Sequence, residues 1–370
     1  MKILQIVTQL EEGGAQHAAR MLQEGFRAEG HDSRLVFLYR KRDALAGTEF
    51  TTLLSRPARA ADYVLIAWRL FLLLRRERPD AVIAHTHYSI FMALPLARLC
   101  GIEKRIAVHH SPLDHYPRPA RALDRWMGAC AISTTEVVVS RTVLRSIERR
   151  RPAACAARFA LVENGVRVAG PRAAGEGKCA GPRFTLGHVG RLAKEKNQRL
   201  LIDLLALDDR CDLLLVGDGP LRGELEQYAR ARGVGGRVEF CGEVPHDELG
   251  RLFARMDLFV FPSLFESMGL ALIEAMQAGV PVVAADIPAL RDVLTLEDGT
   301  CAGLLVSSAA PSEYHAAVKA LLDDPSRRAE LARKALLRSG HYSEKRMVQG
   351  YLDVLSSRRE PRALESASTA

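Results

Sequence analysis

The feature that most constrains this chain is an alternation: short runs of Val, Ile, Leu and Phe recur along it, separated by amphipathic stretches. A strand buried on both faces reads as a near-continuous apolar run, and a helix that covers it reads with a period of about 3.6 residues. Repetition of the two predicts a parallel sheet wrapped by helices. In the first half, strands are expected at 3–7, 33–38, 81–84, 105–108, 136–139 and 159–162, with helices over 15–29 and 61–78, the second stopped by Pro79. A stretch rich in Gly, Ala and Pro without apolar period follows, AGPRAAGEGKCAGP, ending at Pro182. The alternation then restarts, with strands at 184–189, 212–216, 238–241, 258–261, 282–284 and 303–306 and helices over 198–206, 221–232, 270–278 and 311–323. The reading is α/β: two Rossmann-like domains, 1–170 and 183–340, joined by a linker at 171–182 and facing each other across a cleft where such sheets bind ligands. Residues 359–370 read as a frayed tail.

At 370 residues the chain is too long for one ordinary core and suits two. With 48% hydrophobic and 26% charged residues it is a globular composition, neither disordered nor fibrous. The opening MKILQIVTQL reaches Glu11-Glu12 too soon for a signal peptide and reads as a buried strand. The apolar stretch 63–74 is interrupted by Arg69 and falls short of the ~20 residues that span a bilayer. Seven cysteines with no C-x-x-C pair point to a reducing compartment and away from a zinc site. The expected location is cytoplasmic. Charge is uneven: residues 1–175 carry a net +11 and the remainder −3. Either the basic half meets an anionic partner, such as a membrane surface or an anionic lipid acceptor, or it reflects Arg-rich solvated helix faces. Residues 68–71, Trp-Arg-Leu-Phe, are a candidate membrane contact, with a packed helix the preferred reading.

The most informative segment is PSLFESMGLALIEAMQAGVPVVA, starting at Pro262. A strand ends, a loop carries Glu266, and Gly269 opens a helix that holds Glu274. The free N–H groups and helix dipole around Met268, Gly269 and Leu270 suit a diphosphate or sugar hydroxyls. Glu274 lies roughly 7 Å further along the axis at ~1.5 Å per residue, the span from a phosphate to the ribose of the same nucleotide. Glu266 precedes the helix and can face the sugar. As plain surface residues the two glutamates would sit oddly, since the helix between them is largely apolar. Upstream, Arg191 and Lys196 follow the strand at 184–189 and could neutralise charge on a departing diphosphate. Gly13-Gly14 after the first strand allow close approach of a ligand, a weak signal alone. His85, His87, His109 and His110 end strands in the same sense; any one of them can meet a sugar hydroxyl or act as a base, and most are expected to be structural. No D-x-D pair exists in the sequence, so a nucleotide sugar would have to be held by Arg, Lys and helix N-termini without a divalent ion.

As a set, these motifs resemble glycosyltransferase family 4, retaining enzymes of the GT-B fold. The resemblance covers nearly the whole chain: Gly13-Gly14-Ala15, His85-Thr86-His87, Val137-Val138-Val139-Ser140, Glu163-Asn164-Gly165-Val166, Val189-Gly190-Arg191-Leu192 with Lys196-Asn197, Val216-Gly217-Asp218-Gly219-Pro220, and Phe265-Glu266 through Glu274-Ala275. It implies an acceptor-side N-terminal domain, a C-terminal domain that binds a nucleotide sugar (UDP first among the candidates), and a helix at 341–358 that returns to the N-terminal domain. Arg191 and Lys196 would bind the diphosphate, Glu274 the ribose, Glu266 the transferred sugar, and Glu243-Val244 the base. Backbone amides near Gly14 and from Met268 to Leu270 would meet phosphate or sugar. His110 matches the family's histidine at the reacting sugar, with His109 the alternative one residue away. Ser267-Met268 departs from the commoner Gly-Phe or Gly-Leu. No cofactor is implied, the nucleotide-diphosphate sugar being a co-substrate, and the acceptor would be a glycan or lipid-linked molecule. Two other readings stand beside this one: a sugar-nucleotide epimerase or hydrolase on the same architecture, and a non-catalytic module. Nucleic acid is not expected, since no helix-turn-helix, zinc finger or aromatic-basic cluster is present.

Overall fold

A computed structural model describes residues 1–11, 13–41, 49–149, 159–167 and 183–357. The expected linker at 171–182 and tail at 359–370 lie outside the described residues. The chain divides into two compact units, Met1–Gly165 with Glu344–Ala370, and Val166–Ser343.

Among the described residues the first unit is built on seven parallel strands: β1 (Lys2–Leu10), β2 (Asp32–Arg40), β3 (Phe50–Thr52), β4 (Ala81–His85), β5 (Lys104–His109), β6 (Thr135–Val138) and β7 (Phe159–Leu161), in the spatial order β3-β2-β1-β4-β5-β6-β7. β1 is buried from Ile3 to Thr8 and again at Leu10 because helices cover both faces of the sheet, which is why it reads as a mostly apolar run. Helix α1 (Gly14–Ala28) returns from β1 to β2 and buries Ala18, Ala19, Met21, Leu22 and Phe26. On the other face Ile66, Leu70 and Leu74 of α2 (Asp62–Glu77) share a core with Ile90, Ala93, Leu94 and Ala97 of α3 (His87–Leu99) and with Met127 of α4 (Arg118–Ala129). Arg78, in the left-handed conformation ahead of Pro79, caps α2. Helix α5 (Arg141–Glu148) follows β6. The C-terminal helix, α13 (Glu344–Ser356), packs on α1 and shares a core with its Met21, Leu22 and Phe26 through Met347, Val348, Tyr351 and Leu355. A Cβ on Gly25 would stand 2.3 Å from Val348, so glycine is what lets α13 seat this closely.

The second unit has six parallel strands: β8 (Phe184–Val189), β9 (Cys211–Val216), β10 (Val238–Gly242), β11 (Leu258–Phe261), β12 (Val282–Ala285) and β13 (Leu304–Val306), in the order β10-β9-β8-β11-β12-β13. Its helices are α6 (Gln198–Leu207), α7 (Arg222–Ala231), α8 (Leu249–Ala254), α9 (Leu270–Gln277), α10 (Pro288–Leu294), α11 (Pro311–Leu322) and α12 (Pro325–Ser339). In each sheet the strand order reverses beside the first strand, at β1/β4 and at β8/β11. Connections leave such a point in opposite directions, so the carboxyl ends of those strands stay open to a ligand. The motif residues of both halves sit at these ends.

Residues 68–71 lie on a helix that packs ahead of β4, in line with the preferred reading, though not with every side chain. Leu70 is buried, but Trp68 is 58% exposed, and Val64, Leu65 and Leu72 on the same helix are exposed with it. Among the described residues, no helix is long and apolar enough to cross a membrane.

Candidate active site

In the second unit, three loops that follow β8, β9 and β10 are pinned together by backbone contacts. Gly190 N–H donates to Val216 O at 2.9 Å, Leu192 N–H to Asp218 O at 3.0 Å, and Gly217 N–H to Gly242 O at 2.8 Å. A Cβ on Gly217 would lie 2.3 Å from Gly190 O and one on Gly219 2.4 Å from Leu192 O, so the Gly-Asp-Gly segment is a close-packing device. It holds Arg191, whose side chain is exposed and makes no ion pair among the described residues. Lys196 ends a short 3-10 turn, Lys194–Lys196, and Asn197 turns the chain through a left-handed conformation into α6. The Lys196 ammonium pairs with Glu266 Oε1 and lies 5.4 Å from the Phe261 ring centroid. Leu264 N–H donates to Glu195 O at 2.8 Å, a second tie between the same two loops.

Beneath them is a histidine that sequence reasoning missed. His188, next to last in β8, is buried; its Nδ1–H donates to Val260 O at 3.1 Å. Burial, with the Lys196 charge adding and the Val260 carbonyl opposing, pushes its pKa down to about 4. The neutral ring leaves Nε2 to face the Gln198 amide at 3.4 Å, and that same amide donates to Arg191 O at 2.8 Å. A buried neutral His–Gln pair thus anchors the backbone of Arg191. A lone histidine in an apolar strand, FTLGHV, was the available signal.

At the end of β11 the chain reaches Gly269, which caps α9 in the left-handed conformation with φ +84°. A Cβ there would lie 2.6 Å from Leu290 Cδ2, so both space and backbone require glycine. In the first turn of α9, Leu272 N–H already bonds Gly269 O at 3.0 Å, which leaves the Leu270 and Ala271 N–H groups without an intrahelical acceptor. Met268 is buried and Leu270 partly so. Glu274 is buried within α9, and burial raises its carboxyl pKa, with His246 opposing. His246 Nδ1 stands 3.8 Å from Glu274 Oε1, while its Nε2–H donates to Arg167 O at 2.7 Å. His246 follows β10 two residues beyond Val244, which packs against the core. It too was not singled out in the sequence.

In the first unit, Gly13 precedes α1 and Gly14 is its first residue; the Gln16 amide donates to Gln9 O at 3.2 Å. Thr86 carries φ +71° at the turn from β4 to α3 and shares a 2.6 Å hydrogen bond with Thr8 at the end of β1. His87 opens α3, its ring centroid 4.2 Å from that of Tyr88 and 4.8 Å from that of Tyr116, and burial lowers its pKa. His109 and His110 separate cleanly. His109 is buried, Nε2 3.0 Å from Glu136 Oε2, and Ser133 donates to the other carboxylate oxygen at 3.0 Å. His110, one step along the pleat, is partly exposed, with Nε2 3.2 Å from His85 Nδ1. Burial, then the neighbouring His109, hold its pKa down to about 3. His109 is a structural residue, and His110 is the one that reaches the surface.

Two family profiles tile the chain. "Glycosyltransferase Family 4" matches residues 12–169 and "Glycosyl transferases group 1" matches residues 176–338. The chain belongs to this family of glycosyltransferases. Among its relatives is an α-D-kanosaminyltransferase of Streptomyces kanamyceticus, 29% identical over 287 residues that cover 71% of this chain and 73% of the relative. The fold is GT-B. Anabaena HepE, solved with UDP and glucose, superposes with a TM-score of 0.81 at 18% identity, over 97% of this chain and all of HepE. WaaG, a glycosyltransferase involved in lipopolysaccharide biosynthesis, does so with a TM-score of 0.70 at 15% identity, over 96% of this chain and 100% of WaaG.

Proposed function

We propose that this protein is a retaining, metal-independent glycosyltransferase that moves a hexose or N-acetylhexosamine from a UDP-sugar to a glycan or lipid-linked acceptor in cell-surface polysaccharide or glycolipid synthesis. The reading is supported by two cations, Arg191 and Lys196, on the loop after β8, beside the adjoining strand β11 that leads to α9, with Lys196 paired to Glu266 of that second segment. These groups suit a diphosphate without a bridging ion, and the sequence lacks a D-x-D pair to supply one. UDP is favoured because HepE was solved with it.

In this reading the bond from the anomeric carbon to the phosphate oxygen breaks, the acceptor oxygen bonds to the same face of that carbon, and the acceptor's proton passes to the leaving phosphate. Arg191 and Lys196 stabilise the charge gathering on the diphosphate. Glu274 accepts hydrogen bonds from the ribose, Glu266 from the transferred sugar, and His110 meets the reacting sugar; neither glutamate is a covalent nucleophile. Gly13, Gly14 and His87 bind on the first unit, and Val244, Met268, Gly269 and Leu270 on the second. The deciding experiment follows UDP release and anomeric configuration with UDP-glucose and UDP-N-acetylglucosamine, in the presence of EDTA, with and without glycan acceptors. Turnover with retention that needs the acceptor supports the proposal. A strict manganese requirement, no affinity for UDP, GDP or ADP, or UDP release without acceptor as in an epimerase or hydrolase would overturn it.

A second element of the proposal is attachment to the cytoplasmic face of an anionic membrane. It is favoured by the exposed face of α2, where Val64, Leu65, Trp68 and Leu72 lie among Arg69, Arg75 and Arg76.

A further inference from the structure

Three side chains of the first unit form one hydrogen-bonded line that runs from the middle of β1 across β4 to the carboxyl end of β5. The Gln5 amide nitrogen on β1 donates to Ser33 Oγ at 3.2 Å, which turns Gln5 Oε1 toward His85. That oxygen lies 3.1 Å from His85 Nε2, and His85 Nδ1 lies 3.2 Å from His110 Nε2. Gln5 and His85 are completely buried, each on a strand whose other residues are mostly apolar. Polar groups at the centre of a sheet are costly unless their hydrogen bonds are matched, so the order of donors and acceptors along the line is constrained.

That order can be read from one end. With the Gln5 amide oriented nitrogen to Ser33 and oxygen to His85, that oxygen only accepts, so His85 Nε2 carries its proton. Burial holds His85 neutral, and a neutral imidazole has a single N–H, so His85 Nδ1 is a bare acceptor. His110 Nε2 must then be the donor to it. His110 is neutral as well, which leaves its Nδ1 as an unprotonated lone pair.

We propose that Gln5 and His85 are positioning residues that fix His110 as the Nε2–H tautomer, so that toward a sugar it accepts a hydrogen bond from a hydroxyl and cannot donate one. The catalytic consequence rests on the reading of His110 as the histidine at the reacting sugar; the tautomer itself is a property of the ligand-free chain. Sequence spacing cannot show this line, because its members come from β1, the end of β4 and the residue just after β5.

The test separates the two. In the full chain labelled with nitrogen-15 histidine, long-range proton–nitrogen correlation spectra report which ring nitrogen of His110 is protonated, the signal being assigned by its loss in His110→Gln. The wild type is expected to show Nε2 protonated and Nδ1 bare. Gln5→Glu sets a carboxylate against His85 Nε2 that favours the imidazolium, and the added N–H on His85 Nδ1 is expected to shift the proton of His110 to Nδ1. Gln5→Met, of similar size without an acceptor, is expected to give a mixture of tautomers, a roughly tenfold lower kcat with UDP-glucose and an unchanged KM, the size of effect that one hydrogen bond carries. Nδ1 protonated in the wild type would overturn the proposal, as would Gln5→Met with the wild-type tautomer and kcat. If Gln5→Met does not fold, the wild-type and Gln5→Glu spectra decide. Failure of the wild type to use any UDP-sugar would count against the proposed function and leave the tautomer result standing.

Discussion

Lys196 and Glu266, 70 residues apart in sequence, meet as an ion pair at the adjoining ends of β8 and β11. Their side chains are only 19% and 10% exposed, so each largely desolvated charge is balanced by the other. A diphosphate would take over the neutralisation of Lys196 and release Glu266 toward a sugar. The two mutants should therefore part company. Lys196→Ala removes a charge-assisted contact worth about 1.5–3 kcal/mol and should weaken UDP binding by tenfold or more. Glu266→Gln should bind UDP at least as tightly as the wild type, because the ammonium is no longer shared, yet lose transfer. Titration calorimetry with UDP, beside turnover of a UDP-sugar, checks both; equal loss of UDP affinity in the two variants would show that the pair acts only as a structural clasp.

Glu274 gives a prediction of opposite sign for stability and binding. Burial raises its carboxyl pKa, with His246 as the opposing charge. The folded chain thus keeps a proton there to higher pH than the unfolded chain, whose glutamate titrates near ~4.3. Stability contributed at this site falls as pH rises from that value through the raised folded pKa, and the penalty is complete above it. Glu274→Gln carries no such penalty. It should melt higher than the wild type at neutral pH, by ~2–4 °C for each ~1 kcal/mol relieved, and melt with it below about pH 4. Its UDP affinity should drop if the carboxylate holds the ribose. Melting curves across pH, read beside calorimetry, test both halves; a glutamine variant less stable at neutral pH than the wild type would contradict the burial argument.

Much of this was legible in the sequence, and the limits have physical causes. Parallel strands covered on both faces announce themselves as largely apolar runs, so β8 and β11 fall where the pattern put them. Helix α3 did not announce itself: HYSIFMALPLARL is apolar on nearly every side and carries Pro95 inside. The three residues of β3 at the sheet edge are too short for any period. Arg191, Lys196, Glu266 and Glu274 could be named because glycines, strand ends and spacing mark them locally. Gln5, His188, Gln198 and His246 could not, since each draws its meaning from a partner on another element. His109 and His110 differ by a single residue. Only the pleat of β5, paired with β6 at His109 and Val138, turns one to Glu136 and the other to His85.

The glycines behind Arg191 supply a third test. Gly217 has φ +121° and no room for a Cβ against Gly190 O. Gly217→Ala combines overpacking, ~1–3 kcal/mol, with ~1–2 kcal/mol for a left-handed backbone. It should cost about 2–5 kcal/mol and also push the Gly190–Arg191 backbone, so that UDP binding weakens in whatever fraction stays folded. Gly223, in the first turn of α7 with open space where a Cβ would go, is the control. Gly223→Ala should be neutral or stabilising by up to ~1 kcal/mol, with UDP binding unchanged. Urea unfolding and calorimetry on the two variants decide it, and a harmless Gly217→Ala would show that the loop is not held as tightly as its contacts indicate.

The exposed face of α2 yields the last prediction. Its only acids are engaged: Asp62 is held by both Arg56 guanidinium nitrogens at 2.7 and 2.8 Å, and Glu77 by Lys2 at 2.6 Å. What faces solvent between them is apolar or cationic, with Trp68 in the middle and Arg75 and Arg76 toward the end. Such a face suits an anionic membrane surface, where each cation contributes ~1 kcal/mol and tryptophan prefers the headgroup region. The protein should co-float with vesicles rich in phosphatidylglycerol, less so as salt is raised, and not with phosphatidylcholine alone. The double variant Arg75→Gln/Arg76→Gln should partition about thirtyfold more weakly at ~1 kcal/mol per charge, and Trp68→Ser should weaken binding to a degree that salt does not alter. If instead both variants float like the wild type, or α2 is covered by a second copy in solution as sedimentation would reveal, the face serves a protein contact and membrane attachment must be abandoned.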